Sequence, residues 1–169
     1  MSTKSVPAEP TPASPSASRD PGAIASGALK APACDVRTGP PDLETSRILR
    51  YSGAGWDEVR AEPYADGSLP LVSRRPLASP GPAGFDVRYF EIESQGATRL
   101  ERHEHVHVVV CFRGRGRVRL GDETHEVGFG DVVYVAPGEV HQFQNPYAEP
   151  FGFLCVVDRE RDRPVPAGG

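Results

Sequence analysis

Between residues 85 and 158, short apolar and β-branched runs succeed one another, each closed by Gly, Pro, Asp or Asn. Runs this short do not sustain stable helices, and none keeps a 3.6-residue apolar period. Strands are therefore expected at 85–93, 97–102, 106–113, 117–120, 125–127, 132–135, 141–144 and 151–157. Tight turns at Gly114 and Gly116, Gly121-Asp122, Gly128 to Asp131 and Pro137-Gly138 leave room for hairpins rather than for helical crossovers. Neighbouring strands then run antiparallel. Many short antiparallel strands bury their apolar faces only by pairing two sheets or closing one, so the expected class is all-β, an antiparallel double-sheet β-barrel or sandwich.

The rest of the chain is organised around that block. With 169 residues there is room for one domain of ordinary size. Residues 1–42 are dominated by Pro, Ala, Ser and Gly, hold eight of the eighteen prolines, and offer almost no large apolar side chain to offset the entropy of ordering. A disordered tail is expected there. Residues 43–84 mix short apolar groups with Gly and Pro, as edge strands and loops do, residues 85–158 form the core, and the charged 159–169 segment is expected to leave the domain as a tail.

A net charge of −4 and a pI near 5.7 supply no basic stripe, so no nucleic-acid partner is expected. No apolar run approaches the roughly 20 residues that span a bilayer, and no secretory signal is evident; a cytoplasmic protein without a membrane partner is expected. Cys34, Cys111 and Cys155 are too few and too dispersed for a disulfide framework or a paired zinc motif. Free thiols follow.

The segment Glu101-Arg102-His103-Glu104-His105-Val106-His107 holds three of the five histidines, all at odd positions, and leads straight into Val108-Val109-Val110-Cys111-Phe112. Side chains two apart on a strand share a face, so Glu101, His103, His105 and His107 are expected to project together into the core. Unpartnered buried imidazoles cost free energy, whereas one metal ion satisfies several of their lone pairs at once. A further imidazole, His141, opens the strand after the Pro137-Gly138 turn. His125 lies in a polar hairpin and is expected at the surface.

These residues resemble the cupin superfamily, small jelly-roll barrels marked by two motifs. The second motif is matched by Gly130, Gly138, His141 and Asn145; Ala136 stands at its proline position with Pro137 beside it. The first admits two registers. Counting back from Gly114 as its closing glycine places His107 at the family's glutamate position, His103 at its second histidine and Glu101 at its first. The other register takes His103 and His105 as the His-x-His pair but then puts Val109 where the glutamate belongs. The first implies a metal set of Glu101, His103, His107 and His141, with His105 as the alternative ligand.

What the resemblance implies is one divalent transition metal per chain, with Fe(II), Mn(II), Ni(II), Cu(II) and Zn(II) all compatible with imidazole and carboxylate donors. Four protein ligands leave room on the ion for a small organic substrate and dioxygen, so an oxidoreductase of the dioxygenase kind is expected, the alternative being a non-catalytic module that binds a small molecule or metal. Tyr89, Val109, Cys111, Phe143 and Phe153 are the expected pocket residues. A homodimer is expected by family analogy.

Overall fold

The computed structural model describes residues 46–169 apart from 54, 57, 80–82, 163, 168 and 169, so the expected tail at 1–42, with Cys34, lies outside the described residues. Among the described residues, eleven strands form two antiparallel sheets. They are β1 (Glu62–Pro63), β2 (Val72–Ala78), β3 (Phe85–Ile92), β4 (Glu101–Arg102), β5 (His107–Arg113), β6 (Arg115–Leu120), β7 (Glu123–Gly128), β8 (Val132–Val135), β9 (His141–Gln144), β10 (Phe151–Asp158) and β11 (Val165–Pro166). A six-stranded sheet runs β1-β2-β3-β10-β5-β8, and a five-stranded sheet runs β11-β4-β9-β6-β7. The all-β, double-sheet expectation holds. Among the described residues no helix is long and apolar enough to cross a membrane.

Alternation along the strands sets the core between the sheets. Phe90 and Ile92 of β3, Val109 and Cys111 of β5, Val118 of β6, Val133 and Val135 of β8, Phe143 of β9, and Phe151, Phe153, Cys155 and Val157 of β10 point inward and pack as one cluster. Phe143 and Phe90 each stack on Phe153, with ring centroids 4.6 Å and 5.5 Å away. Gly116 is required on β6 because a Cβ there would overlap the Phe151 ring. On β6 the alternate positions Arg115, Arg117 and Arg119 face outward. Arg117 meets Glu126 at 3.1 Å and Arg115 covers the Tyr147 ring at 3.9 Å, so this basic face is answered within the chain.

The six-stranded sheet also buries part of its outer face. Trp56, Val59, Leu77 and Tyr89 form a second cluster, joined by Leu49, Val87, Phe112 and Leu154. The segment before β1 thus covers the sheet rather than extending it. β2 contains Pro76, a residue that weakens a strand reading; it is tolerated because β1 pairs only with Ser73 and Arg74, leaving Pro76 without a ladder partner on that side.

Two boundaries differ from expectation. The strand expected over 97–102 is reduced to Glu101–Arg102, with Ala97 bridging Gln144, and the next strand starts at His107 rather than Val106. Between them residues 103–106 carry the chain from one sheet to the other. Within the 159–169 segment, β11 pairs with β4, and Ala167 N–H donates to Leu100 at 3.0 Å, so these residues stay on the domain. Its charged composition concealed that Val165 and Pro166 reach an otherwise open sheet edge.

Candidate metal centre

The histidines converge because of that crossing, not because they line one strand. Glu101 belongs to β4, directly opposite His141 at the start of β9. His103 and His105 lie in the crossing, and His107 opens β5 opposite Val135 and Val157. The ring nitrogens of His103, His107 and His141 come within 4.8 Å of one another, and all three rings are buried. Glu101 is buried beside His141 on the same sheet face but is not part of that trio.

Hydrogen bonds fix the ring tautomers. His103 Nδ1 lies 2.8 Å from the His105 carbonyl and His141 Nδ1 lies 3.0 Å from the Glu139 carbonyl. A carbonyl only accepts, so each Nδ1 carries the proton and each Nε2 presents a lone pair. The Nε2 of His103 is buried with no hydrogen-bond partner. Burial above all keeps these rings unprotonated: it depresses the His103 pKa to about 4 and the His107 pKa to about 2, each helped by the other imidazoles, and lowers that of His141. Two neutral imidazoles, His103 and His141, with Nε2 lone pairs close to a third buried ring, and the His103 Nε2 orphaned, suit a metal ion. The site fits one.

Burial raises the Glu101 pKa, against the pull of Arg99, the Tyr64 hydroxyl and Arg88. Tyr64 donates to Glu101 Oε1 at 3.5 Å, and its own pKa is pushed up to about 12 by burial and by that carboxylate.

His105 stacks on His103 with ring centroids 3.6 Å apart, and its Nε2 lies 3.1 Å from His107 Nε2. Its Nδ1 donates to Asp162 Oδ1 at 2.6 Å, while the same carboxylate accepts the backbone N–H of Glu104 at 2.9 Å and of His105 at 3.0 Å. These donors, the Glu104 N–H foremost, hold the Asp162 carboxyl well below its usual range. Asp162 was missed from sequence because it lies in the presumed tail; an acid flanked by Arg161 and Arg163 gave no signal of its own.

Of the expected pocket residues, Val109, Cys111, Phe143 and Phe153 face the same interior, as core. Burial raises the Cys111 pKa to about 11, which leaves a closed thiol. Tyr89 does not join them: it is on the other face of β3, packed against Trp56 and bonded to Glu91 at 2.7 Å. A one-residue step along β3 reverses the face, so its neighbour Arg88, not Tyr89, points inward. His125 is at the surface beside Glu123, as expected.

The fold agrees with what known proteins show. Residues 88–157 match the profile of the cupin domain. A 1-methylthio-D-xylulose 5-phosphate methylsulfurylase of Rhodospirillum rubrum is 40% identical over 112 residues, 64% of this chain and 72% of that protein. This chain belongs to the cupin superfamily. Among solved cupins, a conserved barrel domain protein of Rhodopseudomonas palustris is 35% identical with a TM-score of 0.67, covering 73% of this chain and 88% of its own. A polyketide cyclase of Streptomyces resistomycificus is 26% identical with a TM-score of 0.65, covering 74% of this cupin and 87% of the cyclase.

Proposed function

We propose that this cupin is a metal-dependent enzyme that holds one divalent transition ion on His103, His107 and His141, with Glu101 as the carboxylate ligand, and acts on a small organic substrate at carbon next to a carbonyl. The observation that carries it is the buried trio of neutral imidazoles with the His103 Nε2 orphaned. A metal bound there supplies Lewis acidity toward a substrate oxygen. His105 is anchored at Nδ1 by Asp162 and turns its Nε2 toward the trio, so it is the group placed to take and return a substrate proton. Glu104 and His105 donate their backbone N–H groups to Asp162, which fixes the crossing on which both His103 and His105 depend.

Two relatives support the carbonyl-centred reading. The methylsulfurylase is named for a ketose phosphate with its sulfur on the carbon beside the ketone, and the cyclase for a polyketide. Both named compounds carry carbonyl groups, and reaction beside the carbonyl is the chemistry we infer for this chain. The test is deuterium exchange: metal-loaded protein with 1-methylthio-D-xylulose 5-phosphate or D-xylulose 5-phosphate in heavy water, followed by proton NMR. Loss of the signal next to the ketone is expected, abolished by His141→Ala and by His105→Ala. No exchange with either substrate would sink this reading. The dioxygenase reading rests on the coordination positions that four protein ligands leave open; neither named activity is an oxygenation, and substrate-dependent oxygen uptake would restore it. Metal without turnover of any substrate would favour the binding-module alternative.

A further inference from the structure

Arg88 is a charged side chain on the inner face of β3, and no ion pair neutralises it among the described residues. It stands between Asp86 and Phe90 on that face. Register sets it opposite Cys155 of β10, and Cys155 in turn opposite Val109 of β5. Two residues along β10, Val157 stands between Asp86 and His107. Arg88 and His107 therefore flank the same two β10 side chains on one face. With strands about 4.8 Å apart and alternate residues about 6.8 Å apart, their Cα atoms lie about 12 Å from each other. An inward arginine side chain spans much of that gap.

Its donors are largely unused. Nη2 has the sulfur of Cys155 at 3.4 Å, a weak acceptor, and Nε is buried with no partner. The guanidinium carbon lies 5.3 Å from the centroid of the Phe90 ring. The acids on this face make no ion pair with it: Asp86 accepts from Arg161 at 2.7 Å through one oxygen and feels the Arg88 charge only at longer range, and Glu101 lies beside His141 and accepts from Tyr64. A guanidinium keeps its charge, so an inward-facing one with few hydrogen-bond partners favours an incoming anion.

We propose that Arg88 is the anion-binding residue of the site: the substrate carries a phosphate or carboxylate group whose oxygens Arg88 receives through its planar fork of N–H donors, while another part of the same molecule lies at His103, His107 and His141. The second half rests on the metal-site reading; the first does not. A bidentate guanidinium–oxyanion pair also selects geometry, which makes Arg88 a specificity-determining residue.

The test is calorimetric titration of the protein with inorganic phosphate and, separately, with malonate, on the wild type, Arg88→Met and Arg88→Lys, each as purified and after treatment with EDTA. At least one anion binds the wild type, Arg88→Met weakens it by more than about tenfold, and Arg88→Lys, which keeps the charge but not the fork, falls between. Binding of phosphate alone assigns a phosphorylated substrate, and binding of malonate alone a carboxylated one. Arg88→Met is also expected to melt no lower than the wild type without anion, because it keeps the volume and removes an unneutralised charge; should it fail to fold, the Arg88→Lys titration decides. Wild type that binds neither anion, or variants that bind as tightly as wild type, would overturn the proposal. Arg88-dependent binding in a preparation that never takes up metal would sink the metal reading and leave this one standing.

Discussion

Replacing Asn145 by Ala gives a prediction with a magnitude that can be worked bond by bond. Asn145 is 1% exposed and closes the second motif just after His141 on β9. Its Nδ2 donates to the carbonyls of Ile92 and Glu149 at 2.9 Å and 2.8 Å, and its Oδ1 accepts the backbone N–H of Tyr147 at 3.0 Å. It thus ties the end of β3, the turn into β10 and the end of β9 together. Each bond is worth about 1 kcal/mol net, and a buried partner left unpaired adds more, so Asn145→Ala is expected to cost about 3–4 kcal/mol. That is a large part of the roughly 5–15 kcal/mol that holds a typical domain. Urea unfolding followed by the fluorescence of Trp56, the single tryptophan and itself buried, reads the loss directly. Asn145→Asp keeps the shape but replaces both donors with an acceptor, so at neutral pH it is expected to be at least as unstable. A loss below about 1 kcal/mol, or a loss of metal with stability intact, would refute the reasoning and move Asn145 from scaffold to site.

Other perturbations have equally definite outcomes. In metal-free protein, the folded pKa values of His103 and His107 lie below the ordinary 6.5, so the unfolded chain binds more protons below that pH. Stability is therefore full above about pH 6.5 and falls as the pH drops through 5.5 toward 4, by about 2 kcal/mol between pH 7 and 5.5, and bound metal steepens the loss. Unfolding midpoints at stepped pH check this, and a flat profile would contradict it. Asp162→Ala leaves the fold intact by circular dichroism but weakens metal affinity by roughly 10-fold in a chelator competition, because His105 and the crossing lose their anchor. Gly152→Ala places a Cβ against the hydroxyl of Tyr89 and is expected to cost about 1–3 kcal/mol by pulling that hydroxyl from Glu91. An unchanged urea midpoint would show that Tyr89 can move freely.

Much of the fold was legible because local signals dominate it. Glycine- and proline-bounded runs located β3 and β5 to β10 to within a few residues. β2 was hidden by Pro76 and two arginines, whose fitness for an edge-like position depends on where β1 stops pairing. β11 and Asp162 were not foreseen because charge suggests solvent, whereas they dock through backbone pairing and a single carboxylate, neither of which has a composition signature. At the site, the grouping of His103 and His107 with His141 followed from motif spacing. The crossing between sheets that creates it did not, because alternation within a strand says nothing about where a chain leaves one. Tyr89 faces away from the interior and Arg88 toward it for the simplest reason in β-structure: adjacent residues face opposite ways.

The most direct measurement is the metal content of the purified protein and of three single variants, by inductively coupled plasma mass spectrometry against protein concentration. One divalent transition ion per folded chain is predicted for the wild type after reconstitution and dialysis, with loss of that ion in His103→Ala, His107→Ala and His141→Ala. A wild-type protein that retains no ion, or variants that retain it at wild-type stoichiometry, would contradict the assignment of this histidine cluster as a metal centre.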